Sequence, residues 1–294
     1  MSTRVTVDAA AKINLLLDIK GTLPNGYHSL YMIMQSVDLF DKVTVERTGE
    51  GDIALTCSRE AIPCDARNTA YKAALKFFAF TGLQNDGIRI HIEKHIPHEA
   101  GLAGGSADAA AVVRALDTLY ETRLRERDLC EIGVQIGADV PFCIMGGTMI
   151  AQGIGEMLTP IRDMPECKLV LAKPSEGVST ALAYARYDEA GSCRAQDEQG
   201  MLAAIRSGDL YLIAQKLGNS FEQLIDTPKR VDIKAAMRQS GALGSCMSGS
   251  GPTVFGVFDD PERAEDCAEK LKKIVPDVFI CNPEKFGCKL ISIE

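Results

Sequence analysis

From Arg4 to Glu46 the apolar residues alternate with polar ones or run in short β-type bursts, as in RVTVDAAAKINLLLDI and YMIMQSVDLFDKVTVE. The interruption TLPNGYH carries the proline, asparagine and glycine of a turn, so the chain is expected to begin as sheet. The period then lengthens. NTAYKAALKFFAFTG reads as a helix that Asn68 caps and Gly82 ends, and GIRIHIEKHIP returns to strand alternation. A helix is expected from Ser106 to about Tyr120, then the amphipathic LRERDLCEIGVQIG, ending near Gly137. In ADVPFCIMGGTMIAQGIGEMLTPI the paired glycines among β-type residues predict a hairpin. After Pro160 to Pro165 the strand CKLVLAKP restarts the pattern, which places a domain boundary between 1–160 and 161–294. Beyond it VSTALAYARYD, DLYLIAQKLGNSFEQL, PKRVDIKAAMRQSG and PERAEDCAEKLKKI read as helices, and PTVFGVFD and DVFICNP as strands. There is no internal repeat and no low-complexity linker. The expected class is α/β, in the broader α+β sense, with two domains.

Composition narrows the partners. A net charge of −8 over 294 residues leaves no basic surplus to follow a nucleic-acid backbone, so no nucleic-acid partner is expected. The ten cysteines are scattered without a Cys-x-x-Cys, and the opening MSTRVTVDAAAKINLLL lacks a signal-peptide layout; reduced, buried thiols in a cytoplasmic protein are expected. Cys281 and Cys288, in CNPEKFGC, have no histidine nearby and match no common zinc pattern. No apolar run reaches membrane-spanning length. The protein is expected to act on a small molecule, away from membranes, as a monomer or weak homodimer.

The chemistry concentrates in IPHEAGLAGGSADAAAVV, Ile96 to Val113, where a glycine-rich turn runs into an alanine-rich helix. Unpaired N–H groups and the positive end of a helix dipole converge at such a place and suit a phosphate. Gly104-Gly105 is followed by Ser106-Ala107 where a Walker loop needs Lys-Ser/Thr, and the glycine spacing does not fit a dinucleotide fingerprint. Backbone amides would then bind the anion, with the Ser106 hydroxyl close to any phosphate-bound magnesium. Close packing of a small-residue helix on a sheet explains the same composition. Lys12 is the one cation in the apolar AAAKINLLL, and Asp139 follows a helix end and precedes a proline in IGADVPFCI. Taken singly, Lys12 fits a sheet edge and Asp139 fits local amide satisfaction. Taken with an anion loop, they are parts of a phosphoryl-transfer site: amides for the donor, a carboxylate near the acceptor hydroxyl, and a cation to hold that carboxylate charged.

AKINLLLDI, NGYHSLYMIMQSVDLFD, IPHEAGLAGGSADAA, IGADVPFCIMGGTMIAQGIGEMLTPI and MSGSGPTVFGVFD together resemble the GHMP kinases over nearly the whole chain. NGYH after AKINL, with GADVPF downstream, narrows the resemblance to members whose acceptor carries a cytidine diphosphate, in the non-mevalonate isoprenoid route. The resemblance implies a two-domain fold with its active site in the cleft, ATP bound in the syn form as phosphoryl donor, and magnesium. It assigns ATP to Pro97, His98, Glu99, Ala100, Gly101, Leu102, Ala103, Gly104, Gly105, Ser106 and Ala107, with Asn68, and the metal to Ser106. Lys12 and Asp139 match the catalytic pair, and Asn14, on the same strand face as Lys12, the substrate-side asparagine. Tyr27 and His28 match the cytidine-binding pair, with Tyr184 closing the other side of the base and Thr180 lining the cleft. Ser248 to Thr253 resemble the loop that closes on the phosphates. Where many relatives carry Gly-Leu-Gly-Gly-Gly-Ser-Ser, this chain has Ala103 and Ala107. The Ala103 methyl is tolerable if its φ is negative, and Ala107 removes a hydroxyl that could touch phosphate or metal, a contact that Ser106 or water would then supply. A kinase for mevalonate-type or sugar acceptors would leave Tyr27 and His28 without a role. A nucleotide-binding protein without chemistry would not require Lys12 and Asp139.

Overall fold

The computed structural model of the chain describes residues 3–294. Its first sheet grows from one long hairpin, β1 (Arg4–Thr22) and β2 (His28–Arg47), antiparallel from Arg4 opposite Glu46 to Thr22 opposite His28. The continuous apolar run of β1 is buried along its length because layers cover both its faces. β3 (Ile53–Cys57), α1 (Thr69–Thr81) and β4 (Ile88–Glu93) follow; β4 pairs with the second half of β2, and β3 runs parallel to β4. The Asn68 side chain caps α1 by accepting the Ala70 N–H at 2.8 Å, and Gly82 ends it in the left-handed conformation, as the sequence predicts. α2 (Gly104–Leu119) lies on β1, β2 and α1. Its fully buried alanines at 107, 109, 110 and 111 let it approach the sheet closely. α3 (Glu126–Val134) and α4 (Val140–Met145) pack beside it, and β5 (Thr148–Gly153) joins β2 to β6 (Met157–Pro160).

β7 (Lys168–Lys173) opens the second layer system, followed by α5 (Thr180–Ala190), α6 (Glu198–Ser207), α7 (Leu210–Lys216), β8 (Gly218–Asn219), α8 (Phe221–Leu224) and α9 (Arg230–Gln239). β9 (Gly244–Met247), β10 (Val254–Phe258), α10 (Pro261–Leu271), β11 (Asp277–Cys281), β12 (Pro283–Glu284) and β13 (Cys288–Ile293) complete the chain. The sheet has the order β11-β7-β10-β9 with every neighbour antiparallel, and α9 and α10 bury Ile233, Met237, Cys267 and Leu271 against it.

Three features differ from the pattern expected. The paired glycines Gly146 and Gly147 end α4, and the hairpin turns instead between Gly153 and Met157. A side chain at Gly146 would meet the Gly287 nitrogen at 1.9 Å, so that glycine serves a close backbone approach. DLYLIAQKLGNSFEQL is two helices, because Gly218 and Asn219 leave the helix to pair in parallel with Leu16 and Leu17 of β1. Finally, β8, β12 and β13 come from beyond residue 160 yet are strands of the first sheet, paired with β1 and β2. All ten cysteines are free thiols, and among the described residues no helix is long and apolar enough to cross a membrane.

Candidate active site

A cleft of about 1010 Å³ is lined by the start of α2, by Lys12 and Asp139, by the turn before β2 and by the first half of α5. Lys12 and Asn14 project from one face of β1, as their spacing requires. Both are buried, and the lysine is satisfied: its Nζ donates to Asn14 Oδ1 at 2.7 Å and to the Gly101 carbonyl at 3.1 Å. Asn14 Oδ1 also accepts the Gly249 N–H at 3.0 Å, and Ser248 Oγ donates to the Gly101 carbonyl at 2.9 Å. Lys12 and Asn14 together tie the strand to both glycine loops. The expected ion pair with Asp139 is absent, because these nearer oxygens hold the ammonium. Asp139 starts α4, lines the cleft, and its carboxylate has no hydrogen-bond or ion-pair partner among the described residues.

At the α2 end the chain takes up left-handed conformations at Glu99, Gly101 and Ala103, with φ of 49°, 74° and 58°. A Cβ on Gly101 would lie 2.2 Å from the Ser248 carbonyl oxygen, so only glycine fits there. The turn leaves the N–H groups of His98 to Gly105 without a protein acceptor among the described residues, at the head of a 16-residue helix. Such donors fit a polyphosphate. Three expectations change. The helix begins at Gly104, two residues before Ser106, and the negative φ that would accommodate Ala103 is not met, since the residue belongs to the run of left-handed positions leading into the helix. Ala107 and Leu102 are buried and neither side chain lines the cleft. Leu102 contributes backbone only, and its carbonyl accepts the Lys12 N–H at 3.1 Å. Pro97, His98, Glu99, Ala100, Gly101, Ala103, Gly104, Gly105, Ser106 and Asn68 all line the cleft, and Thr69 Oγ1 donates to the Gly105 carbonyl at 2.6 Å.

At the other end, His28 stacks on Tyr184 with ring centroids 4.5 Å apart and 17° between planes, and Tyr187 meets it edge-on at 5.4 Å. Tyr184 in turn lies edge-on to Phe221 at 5.0 Å. Burial raises the Tyr184 hydroxyl above its usual range, and the Asp139 charge adds to that. Tyr27 is 59% exposed, on the rim. Thr180 Oγ1 lies 3.1 Å from Ser250 Oγ, joining α5 to the second glycine loop.

The family description "GHMP kinases N terminal domain" matches residues 68–147, and "GHMP kinases C terminal" matches 201–277. The chain belongs to the GHMP kinases. This GHMP kinase is 41% identical over 276 residues to the 4-diphosphocytidyl-2-C-methyl-D-erythritol kinase of Clostridium beijerinckii, covering 93% of this chain and 98% of the relative. It is 42% identical to the enzyme of that name from Caldicellulosiruptor bescii, covering 92% and 96%. It superposes on a crystal structure of 4-(cytidine 5'-diphospho)-2C-methyl-D-erythritol kinase with a TM-score of 0.80 at 31% identity, covering 94% of this chain and 98% of the other. A homoserine kinase from Cytophaga hutchinsonii gives a TM-score of 0.78 at 22% identity over 99% and 98%, a likeness of fold.

The kinase also carries a buried charge cluster that the pattern analysis passes over. Lys94 Nζ donates to Asp108 Oδ2 at 2.7 Å and to Asp41, whose other oxygen accepts the His95 and Ile96 N–H groups at 2.6 and 2.8 Å. Lys94 and Asp108 border the cleft under Gly104. Burial pushes the Asp108 carboxyl up to about 7; the Lys94 charge opposes that and Asp41 reinforces it. One ammonium cannot neutralise two buried carboxylates, and Asp108 Oδ1 has no partner. A signal was present: Asp41 shares strand parity with buried Val37, Leu39, Val43 and Val45, and Lys94 with Ile88, Ile90 and Ile92.

Proposed function

We propose that the chain phosphorylates the 2-hydroxyl of 4-diphosphocytidyl-2-C-methyl-D-erythritol with ATP, in the non-mevalonate route to isoprenoids. The observation that carries this reading is one cleft with an unsatisfied amide cradle at one end, an aromatic and imidazole cage at the other, and an unpartnered carboxylate between them. The names of the relatives support it. In this reading the amides of His98 to Gly105 hold the triphosphate, and Asp139 accepts the acceptor hydroxyl's proton. Lys12, aimed by Asn14 and Gly101, steadies charge on the transferring group. Tyr27, His28 and Tyr184 hold the cytosine.

Among the described residues no three His, Cys, Asp or Glu side chains gather into a metal cage. Magnesium in such a site would bind through the phosphates and one or two protein oxygens. Ser106 Oγ, half-buried on the cleft, is the hydroxyl we assign to it. When bound, the ion would neutralise phosphate charge. We place the boundary between lobes near residue 160, with β8, β12 and β13 returning across it. The enzyme is read as a cytoplasmic monomer or weak homodimer with no nucleic-acid partner. The test is ADP release from ATP with the cytidine-linked acceptor, homoserine or mevalonate: turnover is expected with the first, and turnover only with homoserine or mevalonate would replace this reading.

A further inference from the structure

His28 Nε2 lies 2.7 Å from Asp188 Oδ1. A carboxylate only accepts, so Nε2 carries the proton in that bond, and on a neutral ring Nδ1 is left with its lone pair. Nδ1 has no protein partner among the described residues, and the ring borders the cleft. The ring cannot turn over freely: it is 8% exposed, stacked on Tyr184 and met edge-on by Tyr187. Tyr184 and Asp188 are one turn apart on α5, so a single helical stripe supplies both the stacking surface and the carboxylate. We propose that Asp188 is a specificity-determining positioning residue: it holds His28 as the Nε2–H tautomer, which makes Nδ1 an acceptor for the exocyclic amino group of cytosine. Uracil presents a carbonyl oxygen where cytosine presents that amino group, and two lone pairs would then face each other. Stacking on Tyr184 or Tyr27 tolerates either base, so the discrimination falls to this one polar contact. The inference rests on the proposed cytidine-linked acceptor.

The test uses the full chain with CDP and UDP as probes in calorimetric titrations. Long-range proton–nitrogen spectra of the imidazoles accompany them; with four histidines in the chain, His28 is assignable by substitution. The Asp188 side chain is 55% exposed, so its substitution leaves the core intact, which circular dichroism verifies. The parent is expected to bind CDP at least about tenfold more tightly than UDP and to show His28 protonated at Nε2. Asp188→Ala is expected to remove most of that ratio by weakening CDP and not UDP, and Asp188→Glu to recover part of it. Equal weakening of both ligands at an unchanged ratio would mean a packing role only and overturn the proposal, as would a parent His28 protonated at Nδ1. A parent that binds CDP and UDP alike would overturn the cytidine reading itself, and that outcome is visible before any variant is made.

Discussion

At the α2 end of the cleft the polar groups left open are backbone amides without protein acceptors among the described residues, in loops fixed by Lys12, Asn14, Ser248 and Thr69, which hydrogen-bond to loop backbone. At the α5 end they are side chains, an imidazole and two tyrosines, carried by a turn and a helix of 11 residues. The difference sets what mutation can do. An amide cradle keeps its donors whatever the neighbouring side chains are, and fails where a Cβ blocks approach. A side-chain cage can be altered one residue at a time. Asp139 lines the same cleft and makes no hydrogen bond to either set of groups among the described residues.

The largest effect is therefore expected at the junction. Asp139→Asn should lower turnover by about 10²–10⁴-fold with nearly unchanged affinity for both substrates, because it removes a proton acceptor and no binding contact. Lys12→Met should also reduce turnover, and the double variant should lose less than the product of the two losses, since both act on the same step. Single-turnover rates on variants shown to be folded measure this; full multiplicativity would separate the roles of the two residues.

The contrast between the ends sharpens with a crossed pair. Tyr27→Ala should weaken the cytidine ligand by about one to two orders of magnitude, the scale of one base stack, and leave ATP alone. Gly105→Val should raise the apparent constant for ATP by at least about tenfold and leave the acceptor alone. Its Cβ would already sit 3.2 Å from Thr69 Oγ1, the hydroxyl that donates to the Gly105 carbonyl, so the larger side chain disturbs the cradle itself. If either variant weakened both ligands alike, the two-ended description would fail.

A smaller effect comes from the charge cluster beneath the loop. Burial raises the Asp108 carboxyl to about 7 in the folded chain, above the usual carboxylate range of about 4 when unfolded. The folded state then binds more protons between those values. This contribution to stability is present in full below about pH 4 and is lost as pH rises through about 7. Asp108→Asn, which leaves Lys94 paired with Asp41, should flatten that part of the curve. Urea unfolding of parent and variant at pH 5 and 8 checks it: the parent should lose stability relative to the variant at the higher pH. The smallest effect is Ala103→Gly. At a φ of 58° the methyl group is strained, and glycine should raise stability by up to about 1 kcal/mol, read from the denaturation midpoint.

Legibility in the sequence followed the same division. The hairpin of β1 and β2, the capping of α1 by Asn68 and the alternating strand β4 were legible because each depends on neighbours along the chain. The returns of β8, β12 and β13 to the first sheet were not, since pairing between residues such as Val5 and Ile293 leaves no local trace. In the site, Lys12 was legible as the one cation in an apolar run and the amide loop from composition, while Asn14, on the same strand face as Lys12, came from the family resemblance. Tyr27, His28 and Tyr184 came from the family resemblance. Asp188 was missed because a carboxylate on an exposed helix face looks like solvated surface until His28 is folded against it. The positive φ of Ala103 was not legible, because nothing local in GLAGGSA marks an alanine for the left-handed region.

Simultaneous binding tests the central claim most directly. Calorimetric titration of a non-hydrolysable ATP analogue and of CDP, each alone and each in the presence of the other, should give one equivalent of each ligand and little change in either affinity when both are present. That result follows from two ends of one cleft meeting across Asp139. Mutually exclusive binding, with CDP displacing the ATP analogue, would mean that both ligands use the α2 cradle, and the assignment of the α5 end to the acceptor would be wrong.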